Sequence, residues 1–323
     1  MRTMSEVSVK IYDAASGSFV GSYDIISLSF TKERYTPFTS ARINLVCDKA
    51  VDDAYEVVIT VNSKTIHRGI ADKTVSRKLS DGLYHTNIYS RGYTAALGVN
   101  QPVPKINSGV NLNGILTANE ITLPFVTCQD NTKTVNYVYV LDKDTLWDAI
   151  VAYSVKAYSS YPYIRGSNTI MVTPPDSPES FEYSDNVLEL ISGVNLTNLV
   201  SKISMKDYDG NYSSYELINS YAVSRRVIRQ TKINLDEQWL SEPDTALKKR
   251  IYYSNRSAKF KGVKLYGYNG EDLFDKFTVI DQNEKQIKNR DIHKIEITAD
   301  KRGVFTTLYS YYDSYSGDIV QGA

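Results

Sequence analysis

One stretch of the chain is written twice. Val58-Ile59 leads through Asn62, Lys64 and Ile66 to a turn at Asp81-Gly82 and closes on Thr86-Asn87-Ile88-Tyr89-Ser90. Near the other end, Val279-Ile280 leads through Asn283, Lys285 and Ile287 to Arg302-Gly303 and closes on Thr306-Thr307-Leu308-Tyr309-Ser310. Spacing, turn position and residue type all agree, which favours duplication over coincidence. In the first copy Thr86, Ile88 and Ser90 alternate with His85, Asn87 and Tyr89, the period of two that turns one set to a core and the other to a partner or water. The pattern predicts that Ile88 and Tyr89 lie on a strand equivalent to that of Leu308 and Tyr309. A duplicated β-module at opposite ends of one chain points to assembly rather than catalysis.

The 323 residues allow two or three domains, and 42% hydrophobic residues suffice for a core in each. From Val7 to about Gln101 the signals are strands punctuated by turns, among them Phe19-Val20-Gly21, the alternating 25–30 and the β-branched 55–61. Thr36-Pro37-Phe38-Thr39 interrupts them as an edge or loop. Gln101-Pro102-Val103-Pro104 marks a domain boundary. Beyond it, Leu112, Ile115 and Leu116 sit at helical spacing. A stronger helix is expected over 145–159, N-capped by Asp144, with Leu146, Trp147, Ile150, Val151, Ser154, Val155 and Tyr158 on one face. Tyr161-Pro162-Tyr163-Ile164 and 169–172 then flank Arg165-Gly166-Ser167-Asn168 as a hairpin. Strands resume at 188–196, 200–205 and 221–233, followed by a helix over 243–257 with Pro243 in its first turn and the basic run Lys248-Lys249-Arg250. The last residues, 313–323, read as poorly ordered. The expected fold is mainly β with an α+β insert: a first β-barrel module (1–101), a helix-plus-hairpin module (105–178) and a second, related β-barrel module (179–323).

Charge and cysteine usage narrow the function. The 37 basic and 37 acidic residues cancel, leaving no long-range field to draw the chain onto nucleic acid or an anionic membrane. Cys47 and Cys128 lie far apart in no metal-like spacing and are expected to be reduced. The N-terminal residues lack the apolar run of a signal peptide, and no segment reads as a membrane anchor, so assembly in a cytoplasm is expected. Tyrosine outnumbers phenylalanine 26 to 9, which suits either surfaces that become dry on assembly or half-exposed sheet faces.

The search for chemistry returns no catalytic, cofactor or metal residue. His67, His85 and His293 fall in expected strands without ligand pairing. The glycines of Gly262-Val263-Lys264-Leu265-Tyr266-Gly267 have phosphate-loop spacing, but Tyr268-Asn269 follows where Lys and Ser or Thr would be needed. Asp207-Tyr208-Asp209-Gly210-Asn211 reads as a hairpin turn rather than a calcium loop. Asp52-Asp53 and Glu271-Asp272 read as solvated loops. Arg225, Arg226 and Arg229 form the densest basic cluster, a solvated face or a charged subunit contact.

Three further stretches carry a resemblance. Lys64-Thr65-Ile66-His67-Arg68-Gly69-Ile70, with Ser80-Asp81-Gly82 and Ile88-Tyr89-Ser90-Arg91-Gly92-Tyr93, resembles the first barrel of the baseplate hub proteins of contractile phage tails and related injection particles. Thr145-Leu146-Trp147-Asp148-Ala149-Ile150 with Tyr161-Pro162-Tyr163-Ile164-Arg165-Gly166 resembles their middle module, and 292–308 their second barrel. Gly270-Glu271-Asp272 departs from the pattern in lacking a proline. The resemblance implies a homotrimeric ring with pseudo-six-fold symmetry that adapts a six-fold tail tube to a three-fold central spike, among other baseplate proteins. It implies no enzyme activity and no cofactor. The candidate interface residues are Ile88, Tyr89, Leu308, Tyr309, Arg225, Arg226 and Arg229. Two alternatives remain: a tail-associated carbohydrate- or receptor-binding module, and a tail-associated peptidoglycan hydrolase in which Asp148 is the carboxylate to test.

Overall fold

The computed structural model describes residues 5–14, 17, 23–118, 123–129, 132–240, 242–280 and 285–312. The N-terminal module is built from β1 (Val7–Asp13), β2 (Tyr23–Glu33), β3 (Ser40–Cys47), β4 (Ala54–Val61), β5 (Lys64–Lys78) and β6 (Tyr84–Gly92). Alternation dictates them. Ala41, Ile43, Leu45 and Cys47 of β3 are buried while Arg42, Asn44 and Val46 are not. Asn62 and Ser63 take φ of 49° and 64°, closing the β4–β5 hairpin in two residues. Phe19-Val20-Gly21, Asn283 and the tail 313–323 lie outside the described residues.

The middle module comprises β7 (Lys105–Val110), α1 (Leu112–Thr117), β8 (Thr127–Cys128), β9 (Val135–Val140), α2 (Leu146–Tyr158), β10 (Tyr163–Arg165) and β11 (Thr169–Met171). Thr145 is the N-cap of α2, not Asp144: Thr145 accepts from the Asp148 N–H and Asp148 accepts from the Thr145 N–H, a reciprocal box that satisfies two end donors. Asp144 instead accepts the Leu141 N–H. The helix is buried on more sides than its stripe indicated, because Ala149, Tyr153 and Ala157 are covered as well. Its core joins Leu112, Ile115, Val138, Trp147, Ile150 and Tyr153.

The C-terminal part begins with β12 (Ser180–Tyr183) and β13 (Val187–Val194). A lobe follows, made of β14 (Lys202–Met205), β15 (Tyr215–Ile218), α3 (Ser220–Ser224), β16 (Gln230–Ile233) and α4 (Pro243–Ser254). Then come β17 (Lys259–Tyr266), β18 (Lys276–Ile280), β19 (Lys285–Asp291), β20 (Lys294–Asp300) and β21 (Gly303–Tyr311). The strand expected from Tyr221 is a helical turn at its start. Asn219 caps α3 by accepting the Ala222 N–H, and Tyr221 and Ala222 pack on Leu199 and Ala258. Asp207 closes the β14–β15 hairpin, its carboxylate accepting the Asp209 and Asn211 N–H groups. Pro243 occupies the first turn of α4 as expected.

One sheet joins both ends of the chain. Ten strands run in the order β1-β4-β5-β6-β3-β2-β20-β21-β17-β13, and β2 meets β20 antiparallel with Leu28 opposite Ala299 and Phe30 opposite Ile297. One apolar core accordingly includes Ile43, Ile59 and Ile88 together with Val263, Ile297 and Leu308. The mainly β fold with a helix-plus-hairpin insert is as expected. What the repeat did not disclose is that its two modules share a single sheet.

Candidate assembly site

The shared sheet contains two four-strand sets in the same chain order. β5, β6, β3 and β2 correspond to β20, β21, β17 and β13, each pair running in one direction. The register agrees residue by residue: Ile88 lies opposite Ile43 and Thr74, and Leu308 lies opposite Val263 and Ile295. Tyr89 lies opposite Lys73, and Tyr309 opposite Lys294. Ile88 and Leu308, offered by the sequence as interface residues, are instead buried in the chain's own core, because they fall on the inward set of the two-residue alternation, while Tyr89 and Tyr309 stand half-buried on the other face. There Arg42 lies over the Tyr89 ring at 5.6 Å and Lys294 over Tyr309 at 5.2 Å. Gly82 (φ 86°) and Gly303 (φ 126°) hold the turns that launch these two strands, a conformation open to glycine.

The eight-strand run is open at β13 and along the second half of β5, whose first half pairs with β4. Among the described residues β13 pairs only with β17, and residues 71–78 of β5 pair only with β6. Leu188, Leu190 and Val194 on β13 are 47%, 47% and 53% exposed, an apolar edge of the kind single chains cover. The internal β2–β20 seam is formed by the strands that correspond to these edges, β13 and β5.

A buried ionic knot ties the modules together, and it lies where the sequence suggested solvated loops. Glu271 and Asp272 are 2% and 4% exposed. Lys32 of β2 donates to Asp272 at 2.6 Å and to the Gly166 carbonyl at 2.6 Å, and Asp272 also accepts the Gly166 N–H. Arg165 pairs with Asp275 at 2.7 Å, and Tyr183 donates to Glu271 at 2.5 Å. Burial alone would raise the Asp272 carboxyl, but the charge and hydrogen bond of Lys32, with Arg165 behind, hold it below its ordinary range. Burial wins at Glu271 and pushes that carboxyl up. The β10–β11 hairpin is thereby pinned between β2 and the 271–275 loop. A clue was present in the adjacent Leu273-Phe274, a buried apolar pair following the two acids.

Two of the histidines are built into the fold. His67 is buried between the Thr39 hydroxyl at 2.8 Å and the Ser90 hydroxyl at 2.8 Å, and burial lowers its pKa to about 3. His293 falls between β19 and β20 rather than within a strand, because the chain turns there, and its Nδ1 accepts the Tyr311 N–H. Cys47 is buried, and the half-buried Cys128 thiol donates to the Asn113 side-chain oxygen at 2.8 Å. Among the described residues no cluster of metal-ligating side chains occurs, and no helix is long and apolar enough to cross a membrane. A cleft of about 640 Å³ between α2 and the lobe is lined by Asp144, Asp148, Lys249 and Arg250. Of its two carboxylates on the α2 side, Asp148 holds the start of that helix and Asp144 the turn before it.

The lobe carries the arginine cluster. Arg225, Arg226 and Arg229 are exposed between α3 and β16, with Arg225 stacked 3.9 Å over Tyr221. Arg229 donates to the carbonyls of Thr197 and Leu199 at 2.6 Å each, bracing the connector. The cluster is remote in topology from Tyr89 and Tyr309, which share the large sheet, whereas β16 belongs to the three-strand sheet β15-β14-β16.

No family model matches the sequence, and no curated protein sequence matches it. Solved structures do. A tail protein from Neisseria meningitidis MC58 superposes with a TM-score of 0.69 at 12% identity, covering 97% of this chain and 98% of that one. A 43 kDa tail protein of prophage MuSo2 from Shewanella oneidensis gives 0.67 at 12% identity over 94% and 98%. An Escherichia coli type VI secretion component, described as structurally similar to the T4 tail proteins gp27 and gp5, gives 0.52 at 8% identity over 94% and 76%. The resemblance read from the sequence therefore holds at the level of the fold, and over nearly its whole length the chain has the fold of phage tail proteins.

Proposed function

We propose that the chain is a structural hub of a phage tail or tail-like particle, assembling as a three-copy ring whose six similar modules face a tail tube. The observation that carries this reading is the repeated four-strand set. Within the chain, β2 of the first set pairs with β20 of the second; between chains, β13 is left to pair with β5 of the next copy by the same rule. Three copies then close a ring of repeating four-strand sets, with β4 and β1 branching off the first half of β5, the usual outcome of a cyclic contact. The alternation from first to second module makes the ring six-fold on the sheet and three-fold where the modules differ. The three-fold side would receive a central spike. Residues 1–101, 105–178 and 179–323 are its modules, with Ile88 and Leu308 as core supports and Tyr89 and Tyr309 on the lining face. As an obligate contact it should bury more than ~2,000 Å².

The internal seam fixes the register of the external one. Ser29 faces Thr298 within the chain, and the corresponding residues are Ile191 on β13 and Arg77 on β5. Light scattering is expected to give three times the 36.4 kDa chain mass. A variant with Ile191→Cys and Arg77→Cys should oxidise to a covalent trimer, while Ile191→Cys with Ser76→Cys, on opposite faces, should not. A ring of another copy number, or a trimer linked through the second pair and not the first, refutes the arrangement.

A further inference from the structure

The lobe interrupts only one of the two modules. Residues 195–258 separate β13 from β17, while residues 34–39 alone separate the corresponding β2 and β3. It therefore occurs once per chain, and its most unusual feature is the connector from α3 to β16. Ile228 is 90% exposed and Val223 is 51% exposed. Between Glu216 and Asp236 the chain carries Arg225, Arg226, Arg229 and Lys232 and no acid.

This projection is built, not slack. Val227 packs beside Leu199 and Tyr221 and its N–H bonds the Ala222 carbonyl at 3.0 Å, which leaves the next side chain, Ile228, no direction but outward. Arg226 holds φ of 57°, and Arg229 is anchored on the Leu196, Thr197 and Leu199 carbonyls. Asn219, which caps α3, is itself locked to Asn255 at 2.8 Å. Beside the projection lies an open strand edge. Among the described residues β16 pairs on one side only, parallel to β14. The Arg229 and Ile233 carbonyls accept from Ser201 and Lys206 on the β14 side, so the two-residue alternation turns the backbone groups of Gln230 and Lys232 to the open side.

We infer that this edge binds an extended acidic segment of another protein by strand addition, with an apolar side chain of the segment covering Ile228. Backbone pairing to β16 supplies the affinity, and the arginines and Lys232 select carboxylates on the incoming strand. The site lies within one chain; only the source of the segment, a particle protein present once per hub chain, rests on the hub reading.

Fluorescence anisotropy of the purified full chain with a short labelled peptide of alternating glutamate and valine tests the site without reference to ring formation. The peptide is expected to bind and to weaken as salt is raised. Ile228→Asp should weaken it about tenfold, roughly the effect of exposing one covered aliphatic contact and adding repulsion. Gln230→Pro, which removes an outward N–H while keeping the β14 pairing, should do the same. Circular dichroism and the mass by light scattering should be unchanged in both. Equal binding of an alternating lysine–valine peptide, or acidic-peptide binding insensitive to Ile228→Asp, overturns the inference. So does binding of single-stranded DNA or anionic lipid vesicles in place of the peptide, since those read charge without the strand edge.

Discussion

Replacing Lys32 by Met isolates what the buried knot does for the fold. The Lys32 and Asp272 side chains are 5% and 6% exposed and 2.6 Å apart, so neither is hydrated and each is the other's principal counter-charge. The attraction of such a pair at an effective dielectric near 20 is ~6 kcal/mol, and desolvating the two ions takes back several kcal/mol each, so the intact pair is close to balanced. Removing the lysine deletes the attraction and leaves the carboxylate desolvated, supported by the Gly166 and Leu273 N–H groups and by Arg165. The expected loss is about 3–5 kcal/mol at neutral pH, a large part of the ~5–15 kcal/mol that holds a domain folded. The pH dependence carries the mechanism. In the parent the Asp272 pKa is depressed, so its contribution is present above the ordinary carboxylate range and is lost as pH falls through the lower folded value. In the variant burial raises it, so protonation relieves the penalty and the gap to the parent narrows on acidification. Urea unfolding followed by tryptophan fluorescence at neutral and mildly acidic pH measures both. A loss under about 1 kcal/mol, or a gap that does not change with pH, refutes this account of the knot.

Two shorter expectations follow from single positions. A Cβ at Gly69 would lie 2.0 Å from the Arg91 carbonyl oxygen, so Gly69→Ala should force β5 from β6 and cost about 1–3 kcal/mol or more by denaturant titration. His67 has its folded pKa lowered to about 3 by burial, so stability should be full above its ordinary value near ~6.5 and fall as pH drops toward 3. His67→Gln should flatten that part of the curve, and the His67 ring resonances should show no titration between pH 5 and ~7.

Much of the local structure was legible because it follows from neighbours in the chain. Alternation marked β3, β4 and β6; Pro243 marked the start of α4; the spacing of Leu146, Trp147, Ile150 and Ser154 marked α2. Errors of one residue arose where two candidates compete, as Asp144 and Thr145 did for the cap, and only the side-chain geometry chooses between them. Tyr221 reads as a strand former, yet a cap at Asn219 and a pocket formed by Leu199 and Ala258 make it helical. Context set by residues far along the chain overrode propensity there.

The sequence by itself determined the duplication, the mainly β class and the placing of Ile88-Tyr89 and Leu308-Tyr309 on equivalent strands, because a period of two is written into adjacent residues; which member of each pair faces the core came from the structure. Only the tertiary structure decided that β2 meets β20 in one continuous sheet, that Glu271 and Asp272 are buried beside Lys32 and Arg165, and that Ile228 stands clear beside an open strand. Each of these depends on pairing or burial between residues distant in the chain, such as Lys32 and Asp272, and a charge reads the same in sequence whether water or another charge surrounds it.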